Sequence, residues 1–147
     1  MHLLGLEFPP ALHYAVEPQT WARPEADGSI TVGITALGIR ASGEIYMCRP
    51  KGVGQAVETG RSIAVVELAK SIVSVKSPLN GIVLAVNGAL AQRPERVHQD
   101  PYGEGWLLRL QPTDWLADAA ALVHGQEAVA LAMREYARLN RLEDPHA

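Results

Sequence analysis

Residues 65–81 read VVELAKSIVSVKSPLNG, and this stretch decides the fold. It contains most of two β-prone runs, Ser62–Glu67 and Ile72–Lys76, which only the four residues Leu68–Ser71 separate. Such a short connection between two strands predicts a tight antiparallel hairpin. The next residues, SPLNG, place proline and glycine as a turn requires them.

The hairpin carries two of the three lysines in a chain that has thirteen basic residues. Lys70 is predicted at or near the tip, where its side chain projects into solvent. Lys76 is predicted at the far end of the second strand, on the flank of the domain. Geometry therefore selects Lys70 as the lysine that could enter another protein's active site. Geometry alone, however, favours solvated charges that protect strand edges from aggregation.

The rest of the middle region also predicts short strands with turns between them, which is typical of a β-sandwich or barrel. A weak internal repeat supports a domain of two similar halves, because a predicted strand begins at Gly43 in one half and at Gly81 in the other. We therefore predict a flattened barrel with pseudo-twofold halves. The further predicted strands are Ile30–Thr35, Gly43–Met47, Gln55–Gly60, Ile82–Asn87 and Trp106–Leu110.

After Pro112 the hydrophobic period changes from that of a strand to that of a helix. Thr113 and Asp114 are plausible N-caps, and Gln126–Leu142 is the clearest helix. We predict a strut packed on the sheet, with a docking surface for a partner as the alternative. The chain is then one domain, 1–147, with a β core over about 12–115 and a helical extension over 113–147.

Composition excludes several classes of function. The net charge of −3 argues against a nucleic-acid surface, and no apolar run approaches the length of a membrane span. The beginning of the chain does not resemble a signal peptide. The single cysteine, Cys48, permits no intrachain disulfide. These features predict a cytoplasmic protein, and the solvated barrel favours a monomer.

No catalytic or metal-binding constellation is visible. His13, His98 and His124 lack the spacing of metal ligands, and Cys48 is expected to be a small buried hydrophobe. No pair of nucleophile and base can be named. We therefore predict that the protein is not an enzyme.

Several motifs together resemble the glycine cleavage H-protein family. Glu67-Leu68-Ala69-Lys70 stands at the family's spacing before Ser77–Gly81, where the family has Glu-Ser-Val-Lys. Residues 100–107 contain the family's DPYGEGW signature in full, and residues 31–35 match its TVGIT strand. The resemblance covers about residues 12–115, which is most of the chain.

This resemblance implies a lipoyl-domain-like β-barrel with lipoic acid attached to Lys70 as a lipoamide swinging arm. It also implies that Glu67 helps the lipoylating enzyme, a lipoate–protein ligase or its equivalent, to recognise the hairpin. Biotin carriers share the fold, but they usually place methionine on both sides of the lysine. Ala69 and Ser71 therefore disfavour biotin.

Three departures from that family resemble a sister group, the H-protein-like lipoate-binding proteins of bacterial sulfur oxidation. They are the connector Pro50–Gly54, the Trp21–Arg23 triplet and the long helix at Gln126–Leu142. This resemblance implies a carrier of sulfur-bound intermediates or electrons whose partner is a heterodisulfide-reductase-like complex, and we prefer it. The alternative is the H protein of the glycine cleavage system, which carries an aminomethyl group between the P, T and L proteins. A second alternative is an unmodified interaction module.

Overall fold

The computed structural model describes residues 1–143, in which two β-sheets face each other across a core and helices lie at the margins. A 3₁₀ helix, Gly88–Ala91, follows the tenth strand. In chain order the other elements are β1 (His2–Leu3), β2 (Leu6–Glu7), β3 (His13–Ala15), β4 (Thr20–Pro24), β5 (Ile30–Ile34), α1 (Ala36–Ser42), β6 (Met47–Pro50), β7 (Ala56–Val57), β8 (Ser62–Glu67), β9 (Ile72–Lys76), β10 (Gly81–Val86), α2 (Arg96–Gln99), β11 (Leu108–Pro112), α3 (Trp115–Ala120) and α4 (Gln126–Leu139).

The large sheet has the order β3-β4-β5-β11-β10-β7, and the small sheet has the order β6-β8-β9. Their inner faces supply one hydrophobic core, in which Ile63, Val83 and Leu110 are fully buried. The strands β1 and β2 form a separate two-stranded ribbon. The predicted mainly β, lipoyl-domain-like architecture is confirmed.

The sequence predictions succeed where the pattern is local and fail where a helix interrupts it. The strands β8 and β9 have the predicted bounds, and β11 begins two residues later than predicted. The strand expected at Gly43–Met47 is wrong. Gly43 instead ends α1, with a positive φ of 83° that suits glycine, and its N–H donates to the carbonyl of Ile39. Since Gly81 does open a strand, the two stretches of the proposed repeat do not correspond.

The C-terminal helix α4 packs on the outer side of the large sheet, whereas Trp115 of α3 packs against the main core. Asp114 caps α3 by accepting a hydrogen bond from the N–H of Ala117 at 3.2 Å. The helix α4 buries Val129, Met133 and Ala137 in a second apolar cluster that also contains Trp21. The predicted strut on the sheet is therefore correct, although α4 ends at Leu139. The final four residues of the predicted extension, 144–147, lie outside the described residues.

A histidine pair connects β3 to the segment between α3 and α4. The rings of His13 and His124 stack with their centroids 4.1 Å apart, and Trp115 meets His13 edge-on at 5.0 Å. The Nδ1 atom of His124 lies 2.8 Å from the carbonyl oxygen of Leu12, to which it donates when it carries the proton. Burial, and secondarily the charge of His124, lowers the pKa of His13. The stack therefore favours a neutral His13.

We expect this histidine pair to make stability depend on pH. Because the pKa of His13 is lower in the folded than in the unfolded chain, its contribution is complete above pH 6.5 and is lost as the pH falls through the folded value. The melting temperature should therefore fall as the pH is lowered from about 6.5 to about 5. His13→Phe should flatten this slope, whereas His2→Gln, at an exposed site, should retain it. Thermal unfolding at a series of pH values measures both, and equal slopes for wild type and His13→Phe would contradict the expectation.

Candidate functional site

The predicted hairpin has the predicted geometry. The strands β8 and β9 pair antiparallel, with Glu67 opposite Ile72 at one end and Ser62 opposite Lys76 at the other. In the connection, the N–H of Leu68 donates to the carbonyl oxygen of Ser71 at 2.8 Å. This bond leaves only Ala69 and Lys70 beyond it, so the lysine occupies the tip.

The two lysines of the hairpin lie in different surroundings. Lys70 is exposed, as are its neighbours Ala69 and Ser71, and it forms no ion pair or hydrogen bond within residues 1–143. Lys76 lies at the opposite end of β9 beside the turn that precedes Gly81. The structure therefore offers the amine of Lys70, and not that of Lys76, at the end of a rigid projection.

Buried side chains below the tip hold the hairpin in place. Val66 is buried in the core, and Leu68 packs against that core although it belongs to the connection. Glu67 points to the other face of the sheet, is half-buried and has no side-chain hydrogen bond in the described part of the chain. An acceptor three residues before the lysine is thus left available to a second protein.

A largely apolar groove of about 300 Å³ begins beside the hairpin. One wall is formed by Val66, Leu68 and Val73, and the opposite wall by Ile34 and the helix α1. Tyr136 of α4 also contributes to the lining. The groove could receive an apolar chain attached to the tip, because aliphatic side chains line it close to Leu68.

The DPYGEGW segment determines where α1 lies. The hydroxyl oxygen of Tyr102 accepts a hydrogen bond from the N–H of Ala36 at 2.9 Å, at the first residue of α1. The indole N–H of Trp21 lies 3.1 Å from the carbonyl oxygens of both Ile34 and Pro101. Burial raises the pKa of Tyr102 and keeps its hydroxyl neutral. Sequence reasoning treated this motif as a family signature and missed that it supports one wall of the groove.

The Trp21–Arg23 triplet belongs to the same structural unit. The guanidinium of Arg23 lies 5.4 Å from the centre of the Trp21 ring, and its Nε donates to Glu25 at 2.7 Å. One of its terminal nitrogens also donates to the carbonyl oxygen of Tyr102 at 3.3 Å. The triplet therefore fastens the DPYGEGW loop to the large sheet.

The remaining titratable candidates have structural partners. The Nδ1 atom of His98 accepts the N–H of Ile45 at 2.9 Å, and His13 stacks on His124. Cys48 is buried in β6, and burial raises the pKa of its thiol to about 12. Within residues 1–143 no group of three or more His, Cys, Asp and Glu side chains could hold a metal ion. In the same range, no helix is both long and apolar enough to cross a membrane.

Comparison with known proteins identifies related chains. The family described as Glycine cleavage H-protein matches residues 12–135. Glycine cleavage system H protein 2 of Aquifex aeolicus is 36% identical over 90% of this chain and 81% of its own length. The H protein of Halorhodospira halophila is 44% identical over 75% of this chain and 86% of its own. A solved H protein from Mycobacterium marinum superposes with a TM-score of 0.70 at 30% identity, over 92% of this chain and all of that one.

Proposed function

The chain belongs to the glycine cleavage H-protein family, and from this we propose that it is a single carrier domain with lipoate attached to the amine of Lys70. Proteins of this family are non-catalytic carriers of covalently bound lipoate. The observation that carries the assignment to Lys70 is its place as the exposed, unpaired amine at the tip of the β8–β9 hairpin within residues 1–143.

The residues around the tip fit a lipoyl group. An amide bond to Lys70 removes a charge that no described carboxylate neutralises, so attachment breaks no ion pair. The groove beside Leu68 offers apolar lining to the chain of the arm. The attached group supplies a disulfide that interconverts with a dithiol. The protein's own part is to hold the arm on a rigid hairpin, which makes delivery to a docked partner effectively intramolecular.

Two pathways remain for the carrier. The relatives' names support the glycine cleavage system, in which the cargo is an aminomethyl group and the partners are the P, T and L proteins. We therefore place this function first, ahead of the sulfur pathway that the sequence analysis preferred.

The sulfur-oxidation carrier stays as the second candidate because of specific residues. Lys51 directly follows β6, Arg23 of the Trp21–Arg23 triplet donates to the carbonyl oxygen of Tyr102, and α4 is 14 residues long. The number 2 in the name of the Aquifex relative also indicates that the family is duplicated in one organism. A duplicated carrier is free to serve a second set of enzymes.

A reconstitution experiment separates the two pathways. The lipoylated protein is mixed with the P protein of its own organism, and the exchange of glycine carboxyl carbon with labelled CO₂ is measured. Exchange that saturates with carrier concentration supports the glycine cleavage assignment. Absence of exchange, together with reduction or oxidation of the arm by the organism's heterodisulfide-reductase-like complex, would favour the second candidate. A Lys70→Arg carrier serves as the blank in both assays.

We also propose that Glu67 contributes to recognition of the hairpin by the lipoylating enzyme. Its carboxylate is half-buried and unpaired in the described chain, so a donor of the enzyme can reach it. Glu67→Gln should lower kcat/KM for lipoate attachment about tenfold, the loss expected for one hydrogen bond to a charged group. The rate of lipoate incorporation measures this, and Glu127→Gln, at an exposed residue in the first turn of α4, is the matched control. An unchanged rate for Glu67→Gln would exclude the role.

A further inference from the structure

The outer face of the small sheet runs from the hairpin tip to the opposite end of the domain. Strand register assigns three rows of side chains to this face. The row next to the tip contains Met47, Glu67 and Ile72, and the middle row contains Arg49, Val65 and Ser74. We call this surface the outer face of the small sheet.

A β-bulge creates the third row. The register of β8 against β9 shifts between Ser62 and Ala64, and both Ile63 and Ala64 remain buried in the core. Ser62 pairs with Lys76 after the shift, and the N–H of Lys51 donates to the carbonyl oxygen of Ile63 at 2.8 Å. The bulge therefore brings Lys51 and Lys76 to the two sides of Ser62.

These side chains and Arg61 line one open polar groove of about 600 Å³. Lys51 and Lys76 are the only lysines of the chain besides Lys70. The outer face of the small sheet and this groove thus carry four cationic side chains, which are Arg49, Lys51, Arg61 and Lys76. Their carboxylates are Glu58 in the groove and Glu67 beside the tip.

None of the four cations forms an ion pair in the part of the chain that the structure describes. Within residues 1–143 the one side-chain hydrogen bond of Arg49 runs from its Nε to the sulfur of Met47 at 3.2 Å. The chain as a whole has a net charge of −3, so this concentration of unpaired positive charge is local. Val65 and Ile72 add exposed apolar area between the cations and the tip.

We propose that the outer face of the small sheet docks an acidic surface of the enzyme that attaches lipoate to Lys70. The proposal rests on the lipoyl function proposed above. Lys76 of the third row lies five residue steps along the chain from Ser71 of the connection, a length of about 17 Å, so one protein can cover both. Whichever pathway uses the carrier, that enzyme must approach this hairpin. Opposite charges on the two surfaces would speed their encounter and fix their orientation.

The test measures lipoate attachment to the unmodified full-length chain by the lipoate-attaching enzyme of the same organism. The test variant is Lys51→Glu/Lys76→Glu. The matched control, Arg134→Glu/Arg141→Glu, makes the same change in net charge at exposed residues in and directly after α4, which packs against the large sheet. A milder variant, Lys51→Gln/Lys76→Gln, removes the charges without reversing them. Thermal unfolding confirms that each variant is folded.

We expect the test variant to lower kcat/KM at least about tenfold, mainly through KM, because like charges would then face each other. The kcat/KM of the control should stay within about twofold of wild type, and that of the glutamine variant should lie between the control and the test variant. Raising the salt concentration should reduce the wild-type rate but not the rate of the test variant. Equal rates for test variant and wild type, or an equal loss in the control, would overturn the docking face. Failure of the wild type to be modified at Lys70 would instead overturn the lipoyl function.

Discussion

Lys70→Arg abolishes lipoylation and, with it, all carrier activity: this is the largest functional effect that we expect of a single substitution. The guanidinium keeps the positive charge and the length of the side chain, but it cannot form the amide bond that the lysine amine forms. Residual activity should therefore be at the level of the blank. Because Lys70 is exposed and makes no contact with the core, the melting temperature should not change.

The intact mass of protein purified from its native host measures this result. Wild type should carry the mass of one lipoyl group, and Lys70→Arg should carry none. Lys76→Arg is the matched control, since it changes the other lysine of the same hairpin and should be fully modified. An unmodified wild type would favour the second alternative, in which the protein is an unmodified interaction module. Modification of Lys70→Arg would show that the lipoyl group is attached to another lysine.

Gly105→Ala should be the most destabilising small substitution in the DPYGEGW segment. A Cβ atom at this position would overlap the carbonyl oxygen of Arg96, and it would lie 2.7 Å from the carbonyl oxygen of Asp100 and 2.8 Å from the Cα of Val97. All three are backbone atoms of α2 and the turn that follows it, so no flexible side chain can move aside. The N–H of Gly105 also donates to Asp100 at 2.8 Å, which fixes the loop in place.

We expect Gly105→Ala to lower the free energy of unfolding by about 3 kcal/mol, at the upper end of the cost of overpacking. Urea unfolding measures this loss. Gly88→Ala is the control, since nothing lies within 4 Å of its added Cβ, and it should change stability by less than about 0.5 kcal/mol. A loss below about 1 kcal/mol for Gly105→Ala would show that the loop can move away from α2.

The Gly105→Ala substitution should also disturb the groove beside the hairpin. The same loop supports α1 through the bond from Ala36 to Tyr102, and α1 lines the groove beside the hairpin. Lipoylation at Lys70 should nevertheless persist in the folded fraction, because the hairpin is held by Val66 and Leu68 in the main core. Stability and modification are thus separable in this variant.

The sequence by itself determined the features that depend on neighbouring residues. The bounds of β8 and β9, the tip position of Lys70 and the beginning of α4 followed from alternation, from a four-residue connection and from helical period. The burial of Cys48 also followed, because a lone cysteine in a β-prone stretch usually packs as a small hydrophobe. The prediction of a lipoyl group came from the family resemblance, because no residue pattern alone specifies this cofactor.

Only the tertiary structure decided which separate segments meet. The helix α1 was not predicted, and it begins at Ala36 because Thr35 caps it and the hydroxyl of Tyr102, 66 residues further along the chain, accepts the hydrogen bond of its first N–H. The role of Gly105 depends on the close approach of α2, which no local pattern records. The bulge at Ser62 arises because Ile63 and Ala64 both remain in the core, and it gathers Lys51 and Lys76 on one face. Such contacts form between residues far apart in sequence, where packing and register, rather than local preference, determine the geometry.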